Sequence, residues 1–177
     1  MKPLDKLGRR EREIVEERRT SVAGEQRLIH FDELHEPTLR AFLDRLLPGV
    51  PAHVDLAAFV DRHLEEPLGR GDRKDGMPPT AELIRQSIDA FTRERFTELT
   101  GAEQGNVIGR LRHGDLGAEA KEFIDRLLDK ALMGYLAHPD TWGRIGFNGP
   151  AYPQGYAWID VEEVAARHDR KPGWDKL

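Results

Sequence analysis

The chain has 177 residues, enough for one domain that buries roughly 70% of the surface its unfolded form exposes, and its formal net charge is −5. Charged residues make up 33% and apolar residues 38%, and no run approaches the roughly 20 apolar residues of a spanning helix, so direct membrane insertion is not expected. The acidic balance gives no overall reason to bind nucleic acid, and the lack of cysteine excludes a disulfide framework, a thiolate metal site and a cysteine nucleophile.

Residues 1–27 read as a charged N-terminal arm. The stretch MKPLDKLGRREREIVEERRT holds only Leu4, Leu7, Ile14 and Val15 as sizeable apolar groups, so the expectation is a solvated helix, with an arm laid along a partner as the functional alternative. Arg9-Arg10 and Arg18-Arg19 are each followed by further charge, not by the uncharged apolar region a twin-arginine export signal needs.

A helical domain is expected over 28–159. Leu39, Phe42, Leu43, Leu46 and Leu47 fall on one helix face, which Pro48-Gly49 stops. Asp55 is positioned to cap a second helix through Leu56, Phe59, Val60, His63 and Leu64, and the two suggest a helical hairpin. Leu68 to Pro79 is rich in Gly, Pro and charge and reads as a surface loop. Thr80 is expected to cap a helix whose inward face runs through Leu83, Ile84, Ser87, Ile88, Phe91, Phe96 and Leu99. Thr100 and Glu103 have the spacing of a capping box, opening a shorter helix with Val107, Ile108 and Leu111. From Ala118, the positions Ala120, Phe123, Ile124, Leu127, Leu128, Ala131, Leu132, Tyr135 and Leu136 define the longest amphipathic helix, ending at His138-Pro139.

The segment GYLAHPDTWGRIGFNGPAYPQGYAW, from Gly134 to Trp158, holds six of the chain's thirteen aromatic residues and is interrupted by Gly143, Gly146, Gly149, Gly155, Pro139, Pro150 and Pro153. Those breakers oppose a helix, and the aromatic content opposes disorder, so the expectation is an ordered, irregular strap, with a tail that merely covers its own core as the alternative. Ile145 and Phe147 are expected to pin it to the helices, leaving Trp142, Tyr152 and Tyr156 available to a partner. Residues 160–177 read as a short helix capped by Asp160, followed by a tail. The fold class is therefore all-α: an irregular bundle of about five to six helices with a long ordered C-terminal aromatic segment.

No constellation carries catalysis. His30, Asp32, Glu33 and His35 are close together, but histidines five apart do not share a helix face as a His-Glu-x-x-His zinc helix requires. His53, His63, His113, His138 and His168 are scattered singly and read as caps, surface groups or packing residues. There is no nucleophile elbow, no dinucleotide fingerprint, and no carboxylate pair in an apolar setting. Catalytic, cofactor-binding and metal-binding residues are all assigned as none.

From about Leu39 to Tyr156 the chain resembles the small subunit of membrane-bound gluconate 2-dehydrogenase, subunit 3 or gamma. The residues that carry the resemblance are Phe42-Leu-Asp-Arg-Leu-Leu-Pro48, Phe59-Val-Asp-Arg-His-Leu64 before Pro67-Leu-Gly69, and Phe96-Thr-Glu-Leu-Thr-Gly-Ala-Glu-Gln104. They continue with Phe123-Ile-Asp-Arg-Leu-Leu128 and Met133-Gly-Tyr-Leu-Ala-His-Pro139, then Ile145-Gly-Phe147 and Gly149-Pro-Ala-Tyr152.

The resemblance implies a non-catalytic accessory subunit that binds and stabilises an FAD-dependent glucose-methanol-choline-type sugar or alcohol dehydrogenase. FAD belongs to that partner, and a cytochrome c subunit is reached only indirectly. The expected partner-binding residues are Tyr135, Trp142, Arg144, Phe147, Tyr152 and Tyr156. The chain departs from the family in lacking a usable export signal and in being short between Pro139 and Gly146. A cytoplasmic location is the expectation, or a periplasmic one if the partner carries the signal. The competing class is an autonomous small-molecule-binding domain or enzyme with its pocket under the aromatic segment. A self-associating structural protein ranks last.

Overall fold

The computed structural model describes residues 9–22, 27–65 and 76–146, with the side chains of residues 10, 11 and 20–22 left aside. These residues form seven α-helices and no strand: α1 (Arg9–Val22), α2 (Glu36–Leu46), α3 (Leu56–Arg62), α4 (Thr80–Arg93), α5 (Gly101–His113), α6 (Ala118–Ala137) and α7 (Pro139–Trp142). The all-α expectation holds, with more helices than the five to six read from periodicity. Most of the aromatic segment, the helix expected from Asp160 and the greater part of the loop before Pro79 lie outside the described residues.

Four phenylalanines from different stretches of chain make the centre of the core. Phe42 of α2 is fully buried, stacks on Phe96 at 4.1 Å between ring centroids, and meets Phe91 and Phe123 edge-on at 5.0 and 5.4 Å. Burying each ring contributes about 1.5–3 kcal/mol, and each well-oriented pair adds about 0.5–1.5 kcal/mol. Leu39, Leu83, Ile84, Ile88, Leu111, Ile124 and Leu127 close around them.

Phe96 reaches this cluster only because α4 stops. The helix ends at Arg93, Arg95 takes a left-handed conformation with φ of 57°, and Phe96–Glu98 forms a short 3-10 turn. On a continuous helix Phe96 would point roughly 140° away from Phe91, since each residue advances about 100°. The single helix expected through Leu99 is thus corrected to a helix, a left-handed break and a turn. Thr80 is also not the cap of α4; it is the first helical residue, preceded by Pro79.

Two other caps form as expected. Asp55 accepts from the Ala58 N–H at the start of α3, and Thr100 and Glu103 complete a reciprocal capping box on α5. Asp55 is also gripped by Arg40 through Nη1 at 2.9 Å and Nη2 at 3.1 Å, which fastens α2 to the start of α3. Burial pushes the Asp55 carboxyl up, but the Arg40 guanidinium and the Ala58 amide outweigh it and hold it below its ordinary value.

α6 is the spine, packing against α3, α4 and α5. Its α3-facing side carries Lys130, whose Nζ donates to the His63 carbonyl at 2.6 Å, at the carbonyl end of α3. One turn further lies Gly134. A β-carbon there would sit 2.7 Å from Phe59 Cδ1 and 2.8 Å from its Cγ, so glycine is what lets α3 and α6 approach. On the opposite side of α3, buried Asp61 accepts from the backbone amides of Ile29 at 2.6 Å and His30 at 2.8 Å, pinning the 27–35 stretch.

Two predictions follow from this packing. Gly134→Ala gains up to about 1 kcal/mol of helix propensity but overpacks a rigid ring, so urea unfolding should show a net loss of about 1–2 kcal/mol, recovered by adding Phe59→Leu. Asp61→Asn replaces one acceptor with a donor facing an amide and should cost about 2 kcal/mol, with faster amide exchange at Ile29 and His30.

Candidate functional site

The C-terminal end of α6 is where the predicted partner-binding residues begin, and backbone chemistry decides how they lie. Pro139 ends the long helix, and a helix end leaves its last carbonyls without intrahelical donors. Two side chains just beyond supply them. The Thr141 hydroxyl is shared between the carbonyls of Tyr135 and His138, and the Trp142 indole N–H donates to the Leu136 carbonyl at 2.8 Å.

This reverses two expectations. Trp142, expected to face a partner, is 2% exposed and seals the end of α6, with the Arg18 guanidinium over its ring at 5.7 Å. Ile145, expected as a pin, is 48% exposed. The breakers also permit more helix than expected: α7 uses Pro139 at its first position, and Gly143–Ile145 continues as a 3-10 turn. Tyr135 is half-buried against the core, and Arg144 is exposed and donates to the Gly49 carbonyl. Phe147, Tyr152 and Tyr156 lie outside the described residues. With Trp142 turned inward, the outward apolar groups here are Met133, Leu136 and Ile145, half of the large apolar side chains exposed among the described residues.

Directly before Trp142 sits a polar junction that sequence reasoning did not find. His138 caps α7, its Nδ1 accepting from the Asp140 N–H at 3.2 Å. The Asp140 carboxylate takes Arg19 of α1 on Oδ1, through Nε at 3.1 Å and Nη2 at 2.8 Å, and pairs with His53 Nε2 through Oδ2 at 2.8 Å. The partners are 121 and 87 positions away in sequence, so no local spacing announces them. Burial pushes the Asp140 carboxyl up, but Arg19 and His53 outweigh it and hold it below its ordinary value.

His138 is fully buried, and burial lowers its pKa; the nearby His53 and Arg19 push the same way against the opposing pull of Asp140. Because an amide N–H can only donate, a neutral ring in this pose carries its proton on Nε2. That Nε2 is buried and has no hydrogen-bond partner among the described residues.

Arg19 thereby corrects the reading of the N-terminal arm. Its helix is docked on α7, α3 and α6, with Val15 only 3% exposed, and is not merely a solvated face. His30 to His35 has another role: Asp32 accepts from the Leu34 and His35 amides and from His35 Nδ1, organising the approach to α2. The hydrogen bond from His35 lowers the Asp32 pKa.

A groove of about 680 Å³ opens beside α2 and the 50–57 stretch, lined by Arg27, Glu33, Arg40, Leu43, Asp44 and Asp55 among others. None of its lining residues comes from 134–146, and the rest of the aromatic segment lies outside the described residues. Among the described residues, no helix is long and apolar enough to cross a membrane.

The docking of α1 yields a prediction. Asp140→Asn removes the charge that holds Arg19; for a pair about one quarter exposed this is worth about 1 kcal/mol. Amide exchange across 9–22 should rise about fivefold while the core helices keep their protection.

Comparison with known proteins adds the last observation. No curated protein and no solved structure matches the chain. The family model described as gluconate 2-dehydrogenase subunit 3 matches residues 33–149, more than half of the sequence, from the turn before α2 to just past the Trp142 seal. The chain belongs to the gluconate 2-dehydrogenase subunit 3 family.

Proposed function

We propose that this chain is a non-catalytic accessory subunit, the small or gamma type, that binds and stabilises an FAD-dependent glucose-methanol-choline-type sugar or alcohol dehydrogenase. The family name supports the role of subunit in a dehydrogenase complex. The observation that carries a location for the contact is the sealed end of α6: Trp142 and Thr141 fix the backbone, and Met133, Leu136 and Ile145 are left exposed on it. A firm turn that displays apolar groups contributes to binding because little ordering entropy is lost on association. Arg144 supplies a polar neighbour, and Tyr135 and Trp142 act from beneath by positioning. Phe147, Tyr152 and Tyr156 are assigned to the same contact from the sequence and lie outside the described residues. FAD is carried by the partner, and a cytochrome c subunit contacts that partner rather than this chain.

One observation favours a second reading. The groove beside α2 has the volume of a small-molecule site, so an autonomous binding domain remains the alternative. Its Arg40 is already held by Asp55 and Glu36, which leaves less unspent polarity for a ligand.

The test is co-expression with a flavin-dependent glucose-methanol-choline-type dehydrogenase from the same genome, followed by affinity purification. Leu136→Asp and Ile145→Asp should each lower the recovered complex about tenfold while leaving the isolated chain folded, as expected for central interface positions. A dehydrogenase that is soluble, flavin-loaded and fully active without this chain would sink the proposal. A flavin or substrate-analogue signal from the purified chain alone would favour the groove.

A further inference from the structure

We infer that His53, His138 and Asp140 form a binding site for a zinc-class divalent cation, closing the junction between the 50–55 loop and the end of α6. One ligand atom from each residue can be chosen so that all lie within 4.8 Å of one another, a span that a central ion with bonds of about 2.0–2.2 Å to imidazole nitrogen and carboxylate oxygen can gather with small side-chain shifts. Two imidazoles and one carboxylate are a donor set suited to zinc and its neighbours and poorly suited to magnesium or calcium, which prefer oxygen.

The independent observation is the His138 ring. Its Nε2 is fully buried with no hydrogen-bond partner among the described residues, although buried polar atoms are almost always satisfied. A bound ion accounts for that orphan. Coordination requires the Nε2 lone pair, so the ring proton moves to Nδ1 and the contact from the Asp140 amide is given up. At 3.2 Å that contact is the longest hydrogen bond of the junction. His53 makes the same shift, exchanging its hydrogen bond to Asp140 for a bond to the metal. Asp140 binds through Oδ2 while Oδ1 keeps Arg19, so the ligating carboxylate is itself oriented by a hydrogen-bonded neighbour, as metal-binding carboxylates commonly are. The His53 side chain is 58% exposed and gives the ion a route in from solvent. Three protein ligands leave a fourth position for water.

Such a site would staple together two parts of the chain, the 50–55 loop and the end of α6, with α1 attached as a third through Arg19. It goes beyond the accessory-subunit reading and does not depend on it.

The experiment uses the purified full chain, stripped with chelator and titrated calorimetrically with zinc chloride, with magnesium chloride as control and cobalt(II) as a spectroscopic probe. The expected result is one equivalent of zinc bound, no heat with magnesium, and the visible absorption of tetrahedral cobalt. His53→Ala lies in an exposed loop, and His138→Asn keeps a good helix-capping acceptor while removing the imidazole. Each should weaken zinc binding at least about tenfold, in line with the loss of a coordinating or orienting group. Absence of stoichiometric binding overturns the inference. So does binding unchanged in His53→Ala, which decides the matter even if His138→Asn proves unfolded by circular dichroism. Binding unchanged in a folded His138→Asn overturns it too, and assigns the buried Nε2 to a water molecule.

Discussion

The carbonyls left over where Pro139 ends α6 set how this molecule closes. They are an obligatory cost of stopping a long helix in the interior, and the chain meets it within six residues by folding Thr141 and Trp142 back under the break. Every later feature of the face inherits its direction from that return. Trp142 turned inward puts Asp140 where α1 and the 50–55 loop meet, and sends Arg144 and Ile145 outward. A short capped turn thus joins sequence positions from 18 to 145 into one corner.

The core stands apart from this corner. The phenylalanine cluster draws on α2, α4, the turn at 96–98 and α6, and includes no residue of α1 or α7. A scaffold stabilised in this way can hold its shape while its closing turn is used for contact. Such a separation suits the proposed accessory role, in which rigidity comes from one set of residues and recognition from another. Substitutions in the two sets should therefore behave independently, as distant sites usually do.

What could be read from the residues in order was whatever is local. The capping pair Thr100 and Glu103, the cap at Asp55 and the face of α6 all rest on spacings of three, four or seven positions, and they appear where expected except for Leu136, which the expected face of α6 included and which is exposed. The break at Arg95 left a trace that was overlooked: Phe91 and Phe96 are five apart, which no single helix face accommodates. The family, too, was legible, because its motifs follow one another in order along the chain. The orientation of Trp142 was not, since an aromatic among glycines and prolines reads equally well as display or as packing, and only a carbonyl needing a donor decides between them. The meeting of Arg19, His53 and Asp140 was invisible for a simpler reason: it is tertiary, and charged or imidazole groups far apart in sequence carry no periodicity.

The amine of Lys130 bears on how any partner of this chain could be mapped. Of the two lysines among the described residues, Lys121 has a side chain 43% exposed near the start of α6, whereas Lys130 is fully buried with its Nζ on the end of α3. Among the described residues, amine-directed cross-linking would therefore report from Lys121, near the start of the spine, and from no lysine of the stretch Met133 to Ile145. A contact there is better sought with photoactivated chemistry, for which the exposed Met133 offers a handle that the lysines do not.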